Sequence, residues 1–188
     1  MSSRRARLLA LLVGIALVVV VASPAFAPPN TTQTGHRMAG GPVRQLLVIT
    51  DDRATTYHST NYLTVFNAGT NITIPAGGRA LVKAQFDAES QCSSRGVGWC
   101  SVRIMIGGIE GNPQAGIDFA FDSDMSGPDD DLLESHSLTR ARCVANTTGS
   151  PLTVSVVVQA AVTAKSITFR LDDWELDVYR TSTCTQTA

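Results

Sequence analysis

The segment Ala80-Leu81-Val82-Lys83-Ala84-Gln85-Phe86-Asp87-Ala88-Glu89 decides the fold. Ala80, Val82, Ala84, Phe86 and Ala88 alternate with Lys83, Gln85, Asp87 and Glu89. Successive side chains of a strand point to opposite faces, so this is a strand with one apolar and one polar face. Its alanines imply close approach of a facing sheet. Cys100, Val102, Ile104 and Ile106 repeat the pattern, with Ser101 and Arg103 turned outward, and Gly107-Gly108 ends it. Ile117, Phe119 and Phe121 share a face opposite Asp118 and Asp122, and Glu134 to Val144 alternates more weakly. Leu152 to Val162 is β-branched and reads as a central strand. Gln45 to Thr50 reads as the first strand. Tyr62 to Phe66, ended by Asn67-Ala68-Gly69, and Asn71 to Ile74, ended by Pro75-Ala76-Gly77-Gly78, read as two more. No segment shows a helical apolar period. Many short strands with Gly and Pro turns predict an all-β protein, an antiparallel β-sandwich or barrel.

The last strand carries a sharper expectation. Ile167, Phe169 and Leu171 stand at odd positions, and Trp174, Leu176 and Val178 at even ones. A regular strand cannot send both sets to one core. One extra residue at Asp172-Asp173, a β-bulge, brings them together. The alternative is a strand buried on both faces.

The N-terminus reads as an export segment. Arg4, Arg5 and Arg7 precede an uncharged apolar run from Leu8 to Ala22, followed by the small-residue exit Ala25-Phe26-Ala27. Pro28 directly after that exit hinders cleavage there, and Val20-Val21-Ala22 offers an earlier one. An uncleaved anchor is the alternative, with the arginines on the cytoplasmic side. Without 1–27, about 160 residues remain, the size of one domain. The expected organisation is a signal peptide (or anchor) at 1–27, a Gly/Pro/Thr-rich linker at 28–44, and a single domain at 45–188. The location is then extracellular or the cell envelope, with membrane contact only through an uncleaved N-terminal segment. A net charge of −1 offers no basic surface for nucleic acid.

Export changes how the cysteines are read. Cys92, Cys100, Cys143 and Cys184 are even in number and all lie beyond the export segment, which predicts two disulfides. Three pairings exist. Cys92–Cys100 is favoured because Ser93 to Gly98 is a flexible loop whose ends can meet, which leaves Cys143–Cys184 to tie the tail to the body. Zinc is disfavoured: there are no paired C-x2-C knuckles, and His36, His58 and His136 are scattered.

Thr73-Ile74-Pro75-Ala76-Gly77-Gly78, Phe86-Asp87-Ala88-Glu89-Ser90, Trp99-Cys100-Ser101-Val102-Arg103-Ile104 and Phe169-Arg170-Leu171-Asp172-Asp173-Trp174-Glu175-Leu176 form a set. Together they resemble uncharacterised exported bacterial β-sandwich proteins. More distantly they are similar to the jelly rolls of complement globular heads and tumour-necrosis-factor ligands. The resemblance spans about Asn61 to Arg180 and implies a jelly-roll-like sandwich. The complement-type likeness also implies trimers and a binding role, although no collagen-like Gly-X-Y segment precedes the domain.

Several residues invite a chemical reading. Asp122-Ser123-Asp124-Met125-Ser126-Gly127 places oxygens at alternate positions before a glycine, as Ca2+ loops do, with Asp122, Asp124, Ser126 and Asp130 as ligands. It departs from the EF-hand because Leu133 stands where the bidentate Glu belongs. An acidic, solvated turn is the plainer reading. Glu134-Ser135-His136-Ser137 brings an acid, a hydroxyl and a base together, but a triad is defined by geometry. No G-x-S-x-G or H-E-x-x-H occurs, and no catalytic residue is assigned. Glu89 and Glu134 are candidates for a glycosidase pair if they face each other. Trp99, Asp172 and Asp173 are candidate ligand contacts, against plainer roles in packing over the disulfide (Trp99) and forming the bulge. The sequons at Asn30, Asn71 and Asn146 carry no weight alone.

The expected function is a secreted, non-enzymatic module binding an extracellular glycan, a protein or a cell-envelope surface, with no cofactor beyond optional Ca2+. The alternatives are an extracellular hydrolase acting on polysaccharide through paired carboxylates, and a purely structural envelope protein.

Overall fold

A computed structural model of the chain describes residues 37–94, 98–114, 120–124 and 132–187, without the side chain of residue 124. In chain order the strands are β1 (Arg37–Gly40), β2 (Val43–Asp51), β3 (Thr55–Tyr57), β4 (Leu63–Ile74), β5 (Arg79–Ser93), β6 (Gly98–Ile106), β7 (Ile109–Glu110), β8 (Asp122–Asp124), β9 (Glu134–Ala145), β10 (Leu152–Val162), β11 (Thr168–Thr181) and β12 (Cys184–Thr187). There is no helix among the described residues.

The alternating segment forms β5, paired on one side with β11 and on the other with β9. Its register with β9 is unbroken from Arg79↔Ala145 to Ser90↔Glu134. Ala80, Val82, Ala84, Phe86 and Ala88 are buried, as their parity requires. The first sheet has the order β2-β11-β5-β9, with β3 also on β11. The second has β4-β10-β6, and both β7 and β8 pair with the free side of β6. All pairings are antiparallel. From β2 to β11 the chain passes repeatedly between the sheets, giving the two interlocked Greek keys of a jelly roll. Phe86 packs on Trp174 (5.9 Å between ring centroids) and on Phe121 (6.1 Å), and Phe121 packs on Phe169 (6.4 Å). These tilted pairs join β5, β11 and the segment before β8 in one core, each adding about 1 kcal/mol to simple burial.

The bulge lies where the parity break placed it. Asp172 pairs with Glu89 and Glu175 with Asp87, so Asp173 and Trp174 together stand opposite Ala88. Asp173 adopts a left-handed φ of 41°. Phe169 and Leu171 on one side of it, and Trp174, Leu176 and Val178 on the other, are all buried.

Two expectations need correction. Asn67-Ala68-Gly69 does not end a strand. β4 runs through it, and the four residues Val65 to Ala68 stand opposite Val158 alone. Asn67 (φ 57°) absorbs the kink and its Nδ2 donates to Asp51 Oδ2 at 2.9 Å, so the turn-forming residues serve a bulge within a continuing strand. The expected linker at 28–44 contains β1 and the start of β2. β1 pairs with β12, and Gly41 N donates to Thr183 O at 3.2 Å. This order comes from pairing with the distant tail, which leaves no local hydrophobic period to read.

Both disulfides form as expected. Cys92–Cys100 joins β5 to β6 and therefore one sheet to the other, and Cys143–Cys184 fastens β12 to β9. The Asn146 sequon is structural: the side chain is buried, and its Nδ2 donates to the carbonyls of Ile74, Pro75 and Ser150.

Candidate ligand-binding face

The outward residues of the first sheet form rows across its strands. Thr50, Glu175, Asp87 and Ser137 make one row, and Val48, Asp177, Gln85 and Thr139 the next. Beyond the bulge, Asp172, Glu89 and Ser135 make a third. Glu175 thus faces Asp87, and Asp172 faces Glu89. Like charges directly across strands are destabilising. Tyr179 registers the local field. Its phenol pKa is raised, first by the charge of Asp177 and then by its hydrogen bond to Asp177, with smaller contributions from Glu175 and Asp87.

At the bulge the surface is hollowed. A groove of about 570 Å3 is lined by Thr50, Asp51, Asp52 and Arg53 from the end of β2 and by Asp173, Trp174 and Glu175 from β11. A second hollow of about 310 Å3 shares Asp173 and Glu175 and adds Asp87, Glu89 and the Ser135–Ser137 stretch. The bulge makes both by pushing Asp173 out between them.

The acids around the groove are not equivalent. Asp51 is held in place, accepting from Asn67 Nδ2 at 2.9 Å and from the Arg53 amide at 2.9 Å. These bonds, with the Arg53 charge, hold its carboxyl below the usual range, the Asn67 bond contributing most. A depressed folded pKa gives stability that is present above about pH 4 and lost as pH falls through the folded value. Asn67→Gly, which tolerates the left-handed backbone but lacks the amide, is expected to raise the Asp51 pKa in a carboxyl-carbon NMR titration. Asp172 is also engaged, accepting from Arg170 Nη2 at 2.6 Å. Asp173 is exposed, and no described group bonds its carboxylate. Asp87 accepts from the Gln85 amide at 2.9 and 3.2 Å.

Other candidates fall elsewhere. Trp99 sits half-buried on β6 of the second sheet, away from Asp172 and Asp173, and its Nε1 is buried without a hydrogen-bond partner among the described residues. Of the Ca2+ set, Asp122 gives one carboxylate oxygen to the Ser90 hydroxyl, while the Asp124 side chain, Ser126 and Asp130 lie outside the described residues. Among the described residues no three His, Cys, Asp or Glu side chains are grouped to hold a metal.

The hydroxyl next to His136 turns out to be Ser90. Its Oγ donates to Asp122 Oδ2 at 2.6 Å and lies 2.9 Å from His136 Nδ1, which therefore donates to it. Ser90 is fully buried and its proton already goes to an acid, so the order Asp–Ser–His is the reverse of what a nucleophile needs. The chain instead ties β8 to the opposite sheet. Ser90→Ala leaves both partners unsatisfied and is expected to cost about 1–3 kcal/mol in denaturant unfolding. Glu89 and Glu134 do not face each other either. Glu89 stands across from Ser135 and Glu134 across from Ser90, which sends them to opposite faces.

Sequence reasoning missed Thr50–Arg53, Asp87 and Glu175 as parts of one site. Their one sequence signal is that Asp87 and Glu175 occupy outward positions of strongly alternating strands.

No family model matches the chain, and no curated protein matches it. Among solved structures it is similar to dimeric latent PorU from Porphyromonas gingivalis, at 12% identity and a TM-score of 0.31. That match covers 76% of this chain and 14% of the other.

Proposed function

We propose that the chain is an exported, non-enzymatic binding module whose ligand seats in the groove at the β11 bulge. The observation that carries this reading is the meeting of locally unfavourable features at one exposed place. Asp173, a non-glycine residue, holds a left-handed backbone, and the like-charge pair Glu175/Asp87 stands beside it. A non-glycine residue in that conformation and such a pair each reduce stability. Features that break local rules without a folding gain mark functional surface. The carboxylates and the Thr50, Ser135 and Ser137 hydroxyls supply mainly acceptors, which suits a ligand rich in donors: a glycan's hydroxyls or a protein's basic segment. Export rests on the 1–27 segment and agrees with two disulfides. A complement-like identity would add a trimer, which sedimentation velocity reads directly.

Glycan-array and basic-peptide screening of the purified protein, with and without Ca2+, tests this reading. Binding that is lost in Asp173→Asn/Glu175→Gln supports it, and binding unchanged by that variant contradicts it. One observation favours a hydrolase as the second reading. Cβ atoms of directly opposed residues lie about 5 Å apart, within the reach that paired carboxylates need around a glycosidic bond. Turnover of a glycoside panel, abolished by Glu175→Gln, would replace binding with catalysis.

A further inference from the structure

Arg44 of β2, Arg79 of β5 and Arg180 of β11 line one cleft of about 460 Å3 where the β4–β5 turn closes the sandwich. The cleft shares no lining residue with the two acidic hollows. Its wall is apolar at the exposed Pro75, Ser182 adds a hydroxyl, and no carboxylate lines it. Among the described residues Arg44 and Arg79 make no ion pair. Arg180 also lines the cleft, and its Nε donates to Gln45 Oε1 at 3.4 Å.

Three like charges brought together with no counter-charge repel one another. The chain has acids to spare, with a net charge of −1, yet places none in this lining. We propose that the cleft binds an organic oxyanion: a phosphate, sulfate or carboxylate group on a body with an apolar face. Planar guanidinium forks match such groups two bonds at a time. The exposed Pro75 ring takes the apolar part. This site is independent of the ligand in the acidic groove.

The test is calorimetric titration of the purified protein with phenyl phosphate, phenyl sulfate, benzoate and inorganic phosphate. Saturable binding is expected for at least one aryl anion, tighter than for inorganic phosphate, and the tightest aryl anion names the group. Arg79→Ala and Arg180→Ala are each expected to weaken it about tenfold, a 1.4 kcal/mol effect. Arg79→Lys should also weaken it, because an ammonium lacks the fork. Arg103→Ala, whose guanidinium stacks on Tyr62 on the other sheet, should leave it unchanged. Circular dichroism checks that each variant is folded. No saturable binding at millimolar concentrations, or equal affinity in folded Arg79→Ala and the parent, overturns the proposal.

Discussion

Inserting one alanine between Glu175 and Leu176 is expected to abolish folding. β11 is a central strand, flanked by β2 and β3 on one side and β5 on the other. Phe169 and Leu171 enter the core before the bulge, and Trp174, Leu176 and Val178 enter it after. The bulge at Asp173 already absorbs one extra residue. With a further one, strict alternation turns Leu176 and Val178 to solvent and drives Asp177 inward. Losing the burial of a Leu and a Val removes roughly 4 kcal/mol at about 2 kcal/mol each. Burying a carboxylate without a partner adds several more. The sum reaches the whole stability of an ordinary domain, about 5–15 kcal/mol. Deleting Asp173 is the control, because only Asp172 then separates Leu171 from Trp174 and regular alternation sends both sets to the core. That variant should fold. Urea unfolding followed by tryptophan fluorescence reads both variants. An insertion variant with a native transition would mean that β11 reaches its register by other means.

The second large effect concerns the tail clasp. The Cys143–Cys184 bridge closes a separation of 41 residues, against 8 for Cys92–Cys100. Chain entropy alone gives about 4 kcal/mol for the longer loop and about 2.5 kcal/mol for the shorter. Replacing Cys143 and Cys184 by Ala should therefore lower stability more than replacing Cys92 and Cys100. It should also release β12, and with it β1, whose described pairing is with β12. Hydrogen exchange should show lost protection at Met38 to Gly40 in that variant and retained protection in β5. The reverse order of stabilities would show that the covalent tie between the sheets outweighs loop length.

What the sequence made legible was whatever is local. The alternation of β5 and β6, the β-branched run of β10 and the parity break in β11 are statements about neighbours along the chain, and each fixes a face. Pairing is long-range, so the row joining Thr50, Glu175, Asp87 and Ser137 could not be read before the registers were in hand. Asn67-Ala68-Gly69 has turn chemistry, and only the resumed pairing of Gly69 to Ile74 with β10 makes it a bulge. β1 has no apolar period because its order comes from β12. The candidate site was half visible. Asp173 stood out through the parity break, whereas its neighbours Asp51 and Glu175 come from β2 and from further along β11. Trp99 was grouped with it only because both are suited to ligands, and the fold places them on different sheets.

The most direct measurement is backbone-amide NMR mapping of the purified protein against the tightest ligand found by array or peptide screening. The expected result is shift changes concentrated at Thr50 to Arg53, Asp173 to Glu175 and Asp87 to Glu89, fading when Asp173→Asn/Glu175→Gln is titrated. Changes confined to β4, β10 and β6, with the bulge unmoved, would contradict the placement of the binding site on the first sheet.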